Sequence, residues 1–217
     1  MLGLPEKTEL NKKIPKQALY ENMNVPNQIK KSIVEQIKAI YWRNKISSDT
    51  INLAEGEAVT EIQIFEIKLN GDRLDETVLS FIDKQIPYHI IFALEHEGEY
   101  QVWIAYKQAI TYGNNAFKVG TYYHTKWLDE SSIPLKIEGL NIDKVYENFV
   151  RQIAGNSLQT SDVEESLQEA VERDTRKKKI EKKIDELEAK ARKEKQSKKK
   201  YEIFMQIKEY KTMLEEI

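Results

Sequence analysis

Apolar positions concentrate between residues 59 and 128, where their spacing predicts a strand, a helix and then three more strands. Residues 59–69 form a β-branched and aromatic run without Pro or Gly, which suits a pleated surface. Asn70-Gly71 supplies a turn pair. Asp75 is placed to cap a helix in which Val78, Leu79, Phe81 and Ile82 recur at helical spacing, with Pro87 closing it. Residues 88–94 are almost continuously apolar, as expected of a strand covered on both faces. Glu97-Gly98 turns the chain into a strand over 100–106. A turn over 111–115 leads to a strand over 117–128, where Val119, Thr121 and Tyr123 alternate with Lys118, Gly120, Tyr122 and His124.

The flanks are less regular. Residues 1–14 show no periodicity, and Pro15 opens a short helix through Met23. Asn27 can cap a second helix over 28–44, whose Ile29, Ile33, Ile37, Ile40 and Tyr41 make one apolar stripe. Trp42-Arg43-Asn44-Lys45 then reads as the basic end of that helix, with a ligand-facing role for Trp42 and Arg43 as the alternative. Asn141 caps a helix carrying Ile142, Val145, Tyr146, Phe149 and Ile153 on one face, and Gly155 stops it.

Beyond residue 162 the apolar positions recur in a 4-3 rhythm. Ile180, Ile184, Leu187 and Ala191 form one seam; Ile203, Ile207, Tyr210, Leu214 and Ile217 form another. A single helix would place Glu194 and Lys198 on the first seam, so the phase breaks. Folding the chain back at Ser197 instead pairs Ala191 with Ile203, Leu187 with Ile207, Ile184 with Tyr210 and Ile180 with Leu214. An antiparallel helical hairpin with its tip at 196–199 follows, one stuttered helix being the other solution.

Charge adds a second layer. The 217-residue chain carries a net charge of −2, yet residues 176–200 hold thirteen Lys or Arg against five acids. That window is +8 and the remainder −10, so the near-neutral total conceals a polarised molecule. The absence of cysteine excludes disulfides, thiolate catalysis and Cys-ligated metal. No apolar run approaches the roughly 20 residues of a membrane helix. The opening Met1-Leu2-Gly3-Leu4-Pro5 lacks the pattern of a secretory signal, so a cytoplasmic protein is expected.

Few residues offer chemistry. Glu66-Ile67-Lys68 matches the E-x-K half of the PD-(D/E)xK nuclease pattern, in which carboxylates hold a divalent metal and the lysine steadies the attacking water or the phosphate. Glu66 and Lys68 share a strand face, but Asp49, Glu55 and Glu57 are unconvincing as the earlier acid. His89, His96 and His124 have no zinc-ligand spacing. Nucleophile elbow, P-loop and dinucleotide fingerprint are all missing, and no cofactor is implied.

The surfaces say more. Lys190, Arg192, Lys193, Lys195, Lys198, Lys199 and Lys200 are candidates for contact with a phosphate backbone, or else form a merely solvated arm. Val163, Leu167 and Val171 continue an apolar stripe without an internal mate and are candidates for docking a protein partner. Tyr106, Tyr112, Tyr122, Tyr123 and Trp127 divide between a stacking platform and ordinary core.

Several short stretches together resemble a known family. They are Leu2-Gly3-Leu4-Pro5 with Thr8-Glu9 and Ile14-Pro15-Lys16, then Ile40-Tyr41-Trp42-Arg43-Asn44-Lys45, Ile82-Asp83 with Ile86-Pro87-Tyr88, Trp103-Ile104-Ala105-Tyr106-Lys107, and the run from Val145 to Gly155. In this order they resemble the bacterial family termed domain of unknown function four-three-nine-one. The resemblance implies no catalytic residues. It does imply a setting beside DNA methyltransferases and helicases of restriction–modification or anti-phage type, hence an accessory subunit with a helicase or methyltransferase partner.

The expectation is therefore an α+β fold: a mixed, largely antiparallel sheet with flanking helices over 1–155, a linker over 156–162, and a helical-hairpin arm over 163–217. Its expected role is a non-catalytic adaptor that binds a protein partner, nucleic acid or both through the basic arm. A PD-(D/E)xK nuclease built on Glu66 and Lys68, and a coiled-coil oligomeriser, are the alternatives.

Overall fold

In a computed structural model, strand pairing starts earlier in the chain than the apolar pattern suggests. The structure describes residues 2–109, 117–133, 135–159, 165–215 and 217. Glu9–Ile14 forms β1, and two helices, α1 (Lys16–Asn22) and α2 (Asn27–Gln36), follow. Ile37–Ser47 is then strand β2, not the continuation of a helix to residue 44. Ile37, Ile40, Tyr41, Trp42 and Ile46 satisfy helical spacing but are also strand formers, and pairing with neighbours on both sides decides between the two. The earlier residues 9–14 escape notice because Asn11, Lys12 and Lys13 face solvent on an edge strand, where charge protects against unwanted pairing.

The remaining elements are β3 (Glu61–Leu69), α3 (Glu76–Gln85), β4 (His89–His96), β5 (Glu99–Ala109), β6 (Phe117–His124), β7 (Leu128–Asp129) and α4 (Ile142–Ala154). The sheet runs β1-β2-β3-β4-β5-β6, with β7 beside β5. All pairings are antiparallel except β3–β4, which is parallel and uses α3 as its crossover. Glu97 and Gly98, at φ of 50° and 88°, make the tight β4–β5 turn, as a two-residue hairpin with both residues left-handed requires. The 111–115 turn lies outside the described residues.

β4 sits mid-sheet with both faces covered, as its continuous apolar run implies. Ile90, Phe92 and Leu94 join Phe65, Ile67, Ile33 of α2 and Val78, Leu79 and Ile82 of α3 in one core. His89, on the other parity, meets the Tyr146 ring of α4 at 4.3 Å, so α4 covers the opposite face. Asn141 caps α4 as expected, accepting from the Lys144 amide at 3.0 Å.

By internal contacts the chain divides into units 1–156 and 157–217. In the second, α5 (Leu167–Lys193) and α6 (Ser197–Glu215) form the antiparallel hairpin. Ile184, Leu187, Ala191, Ile203 and Ile207 make its core, flanked by Ile180, Tyr210 and Leu214. These are the residues that the fold-back register pairs. The tip falls at 194–196, slightly earlier than the expected 196–199, and Lys198–Lys200 lie in the first turn of α6.

The loop before β3 is fixed by one side chain. The Asp143 carboxylate, in the first turn of α4, accepts from the backbone amides of Glu57 (2.8 Å), Ala58 (3.2 Å) and Val59 (2.7 Å). A Cβ at Gly56 would overlap that pinned carboxylate, whereas a Cβ at Gly71 would meet open space. Gly56→Ala is expected to lower the unfolding free energy in urea by about 2 kcal/mol, a typical overpacking cost. Gly71→Ala serves as the near-neutral control, and equal stability of the two variants would contradict the pinning.

Candidate functional site

Two clusters of ionisable groups lie inside the sheet, and both are closed on themselves. In the first, Arg43 of β2 donates to Glu66 of β3 through Nε at 3.0 Å and through Nη2 at 2.5 Å. The Tyr100 hydroxyl donates to the other Glu66 oxygen at 3.2 Å. Glu66 is 0% exposed. Its face-mate Lys68 pairs instead with Glu95 at 3.2 Å. The Glu66 carboxylate thus has its lone pairs occupied by a guanidinium and a phenol rather than presented to a metal. Arg43 is engaged by the same contact, and Trp42 packs partly buried against the α2–α3 core. Among the described residues, no group of three or more His, Asp or Glu side chains is placed to hold a metal ion.

The second cluster lies between α3, β4, β5 and β6. Lys107 and Asp83, each 1% exposed, form an ion pair at 2.9 Å. Lys107 Nζ also donates to the carbonyls of Ile86 (3.1 Å) and Tyr88 (2.5 Å), and the Tyr122 hydroxyl donates to Asp83 at 2.8 Å. Tyr146 accepts from the Lys107 amide and donates to the Ala105 carbonyl, at 2.8 and 2.6 Å. Burial raises the Asp83 pKa and lowers that of Lys107, each shift opposed by the partner's charge. Burial, reinforced by Lys107, lowers His89 to about 4, so its imidazole is neutral at pH 7. Residue patterning misses this cluster, although Ile82-Asp83, Ile86-Pro87-Tyr88 and the stretch ending at Lys107 are the same short stretches that carry the family resemblance. The structure brings them to one point.

The aromatic candidates are mostly core. Tyr123 is buried, Tyr122 holds Asp83, and Trp127 packs against the α2–α3 core; Tyr112 lies outside the described residues. The histidines are also dispersed. His89 lies against Phe117 and Tyr146, His96 faces Trp127, and His124 stacks on Trp103 at 4.2 Å.

The hairpin presents the opposite picture. Lys190, Arg192, Lys193, Lys195, Lys198 and Lys199 are exposed, and Lys200 is half-buried. Three lysines in the first turn of α6 oppose the positive end of the helix dipole, an arrangement that disfavours the isolated helix. Large apolar side chains also remain outside: Tyr201 is 65% exposed, Phe204 52% and Met205 49%. Among the docking candidates, Leu167 and Val171 are buried in α5, and Val163 lies outside the described residues.

A mixed α+β sheet unit joined to a basic helical hairpin is the class of protein these features define. The family model for the domain of unknown function DUF4391 matches residues 2–214, and the chain belongs to that family. No curated protein and no solved structure matches it. Among the described residues, no helix is long and apolar enough to cross a membrane.

Two measurements test the closed clusters. Glu66→Ala strands the Arg43 guanidinium and is expected to cost about 3 kcal/mol of stability in urea, as removal of one buried partner does. An Arg43→Met, Glu66→Gln double variant should recover much of that loss; an unchanged midpoint for Glu66→Ala would show that the pair is not structural. For His89 the folded pKa lies below the 6.5 of the free side chain. Its contribution to stability is therefore present above pH 6.5 and is lost as pH falls towards about 4. The full effect is about 3 kcal/mol, and His89→Gln is expected to flatten that acid limb. An identical pH dependence in variant and wild type would refute the buried neutral imidazole.

Proposed function

We propose that this protein is a non-catalytic accessory subunit that works by contact, with the basic hairpin as its surface for nucleic acid. The observation that carries the reading is the contrast between its two units. The buried charges of the sheet are paired with one another, while the hairpin spends its aliphatic residues on its own seam and leaves a row of cations in solvent. Lysines held along a stiff helical pair can follow a phosphate backbone and release its counterions without reading sequence.

The resemblance described above adds a setting. The subunit belongs to a bacterial DNA-acting defence or restriction–modification assembly and serves a helicase or methyltransferase partner in the cytoplasm. Charge division supports such a role, because an acidic remainder of −10 disfavours adventitious binding of nucleic acid outside the +8 window.

Fluorescence anisotropy with a random 20-base-pair duplex tests the reading. Simultaneous Lys198→Glu, Lys199→Glu and Lys200→Glu substitution is expected to weaken binding at least about tenfold. It should also reduce the slope of log affinity against log salt by about one per lysine. The substitutions place acids at the N-terminal end of α6, where they favour the helix, so unfolding would not explain a loss. Affinity that ignores both the substitutions and salt would refute the proposal.

A further inference from the structure

One side of the hairpin carries more than charge. Phe204 and Tyr201, three residues apart on α6, lie on one side of that helix with Lys200, Lys208 and Lys211. Both rings are more than half exposed. Phe204 lines a groove of about 280 Å³ between α5 and α6, whose rim includes Arg192, Lys200 and Lys211 and whose floor includes Ala191 and Ile207. Glu188 also borders the groove, neutralised by Lys211 at 3.1 Å. Aromatic rings that stand free between cations are the elements of a surface for unpaired bases, because every base offers a π-face and every phosphate a charge.

The shape of the patch decides between occupants. A partner helix would need apolar residues repeated over several turns. Here the aliphatic residues are already buried in the hairpin seam, and the cluster of Tyr201, Phe204 and Met205 is followed by Lys208 and Lys211, the next exposed apolar side chain of α6 being the isolated Met213, about two turns on. One turn of exposed apolar surface is too short to seat a helix but is enough for two rings. Duplex DNA would leave those rings unused, since its bases already stack on each other.

We infer that the hairpin binds single-stranded nucleic acid, with Phe204 and Tyr201 stacking on unpaired bases while Arg192, Lys200 and Lys208 hold the flanking phosphates. The inference rests on the nucleic-acid reading of the arm and names the strand form that it takes. It deepens that reading by making the contact sensitive to whether the strands are separated.

Anisotropy on the full chain with dT20, a 20-base-pair duplex and inorganic polyphosphate tests it. The wild type is expected to prefer dT20 over the duplex. The Tyr201→Ala, Phe204→Ala variant should lose about tenfold or more on dT20 with little change on duplex or polyphosphate. Tyr201→Phe with Phe204→Trp should restore dT20 binding, because rings are kept, and circular dichroism should show intact helices throughout. If dT20 and duplex bind equally and the alanine variant matches wild type on both, base stacking is refuted while the polyanion reading survives. If none of the three probes binds, both fall. Binding of an acidic amphipathic helical peptide in place of dT20, lost in the alanine variant, would overturn the inference and assign the face to a protein.

Discussion

The Glu66 carboxylate is completely enclosed, and Arg43 meets it from the neighbouring strand at 2.5 Å. A charge taken that far from water must be paired or it costs several kcal/mol, and here a guanidinium and the Tyr100 hydroxyl both meet it. The same constraint governs Asp83 and Lys107, where a second ion pair bridges α3 and β5 and takes in two backbone carbonyls from the turn into β4. The first contact ties β2 to β3 and the second ties the crossover helix α3 to β5, so together they help to place the strands and that helix. Glu66, the acid of the E-x-K stretch, is thus one of the groups that tie neighbouring strands together.

The hairpin obeys the complementary rule. Two helices with sparse apolar seams can bury only the seam, and Ile184, Leu187, Ala191, Ile203 and Ile207 are used up in doing so. What remains outside is long, cationic and locally aromatic. Placing Lys198–Lys200 in the first turn of α6 runs against the helix dipole, and the seam packing overrides that preference.

Much of the architecture was legible because the patterns were redundant. The residues of the α5–α6 seam could be read from their 4-3 rhythm, and the Asn141 cap and Gly155 stop frame α4 in the sequence itself. The boundary between α2 and β2 was not legible, because Ile29, Ile33, Ile37 and Ile40 satisfy a helical stripe while the second half pairs with β3. β1 was hidden by its solvent-facing lysines. The role of Glu66 was also out of reach: its partner is 23 residues away, and E-x-K on a strand reads the same whether the acid faces a metal or an arginine. For the hairpin surface, the lysines were visible in composition, but the exposure of Tyr201 and Phe204 required knowing which side the seam consumes.

The central proposal is that this protein acts by touch, through the hairpin, while the charges buried in the sheet stay paired with one another. Backbone amide shift mapping of the full chain during titration with dT20 tests this most directly. The account predicts perturbations clustered between residues 190 and 211 with Arg43, Glu66, Lys68 and Glu95 silent. Perturbations centred on those four residues, with the hairpin unchanged, would contradict it.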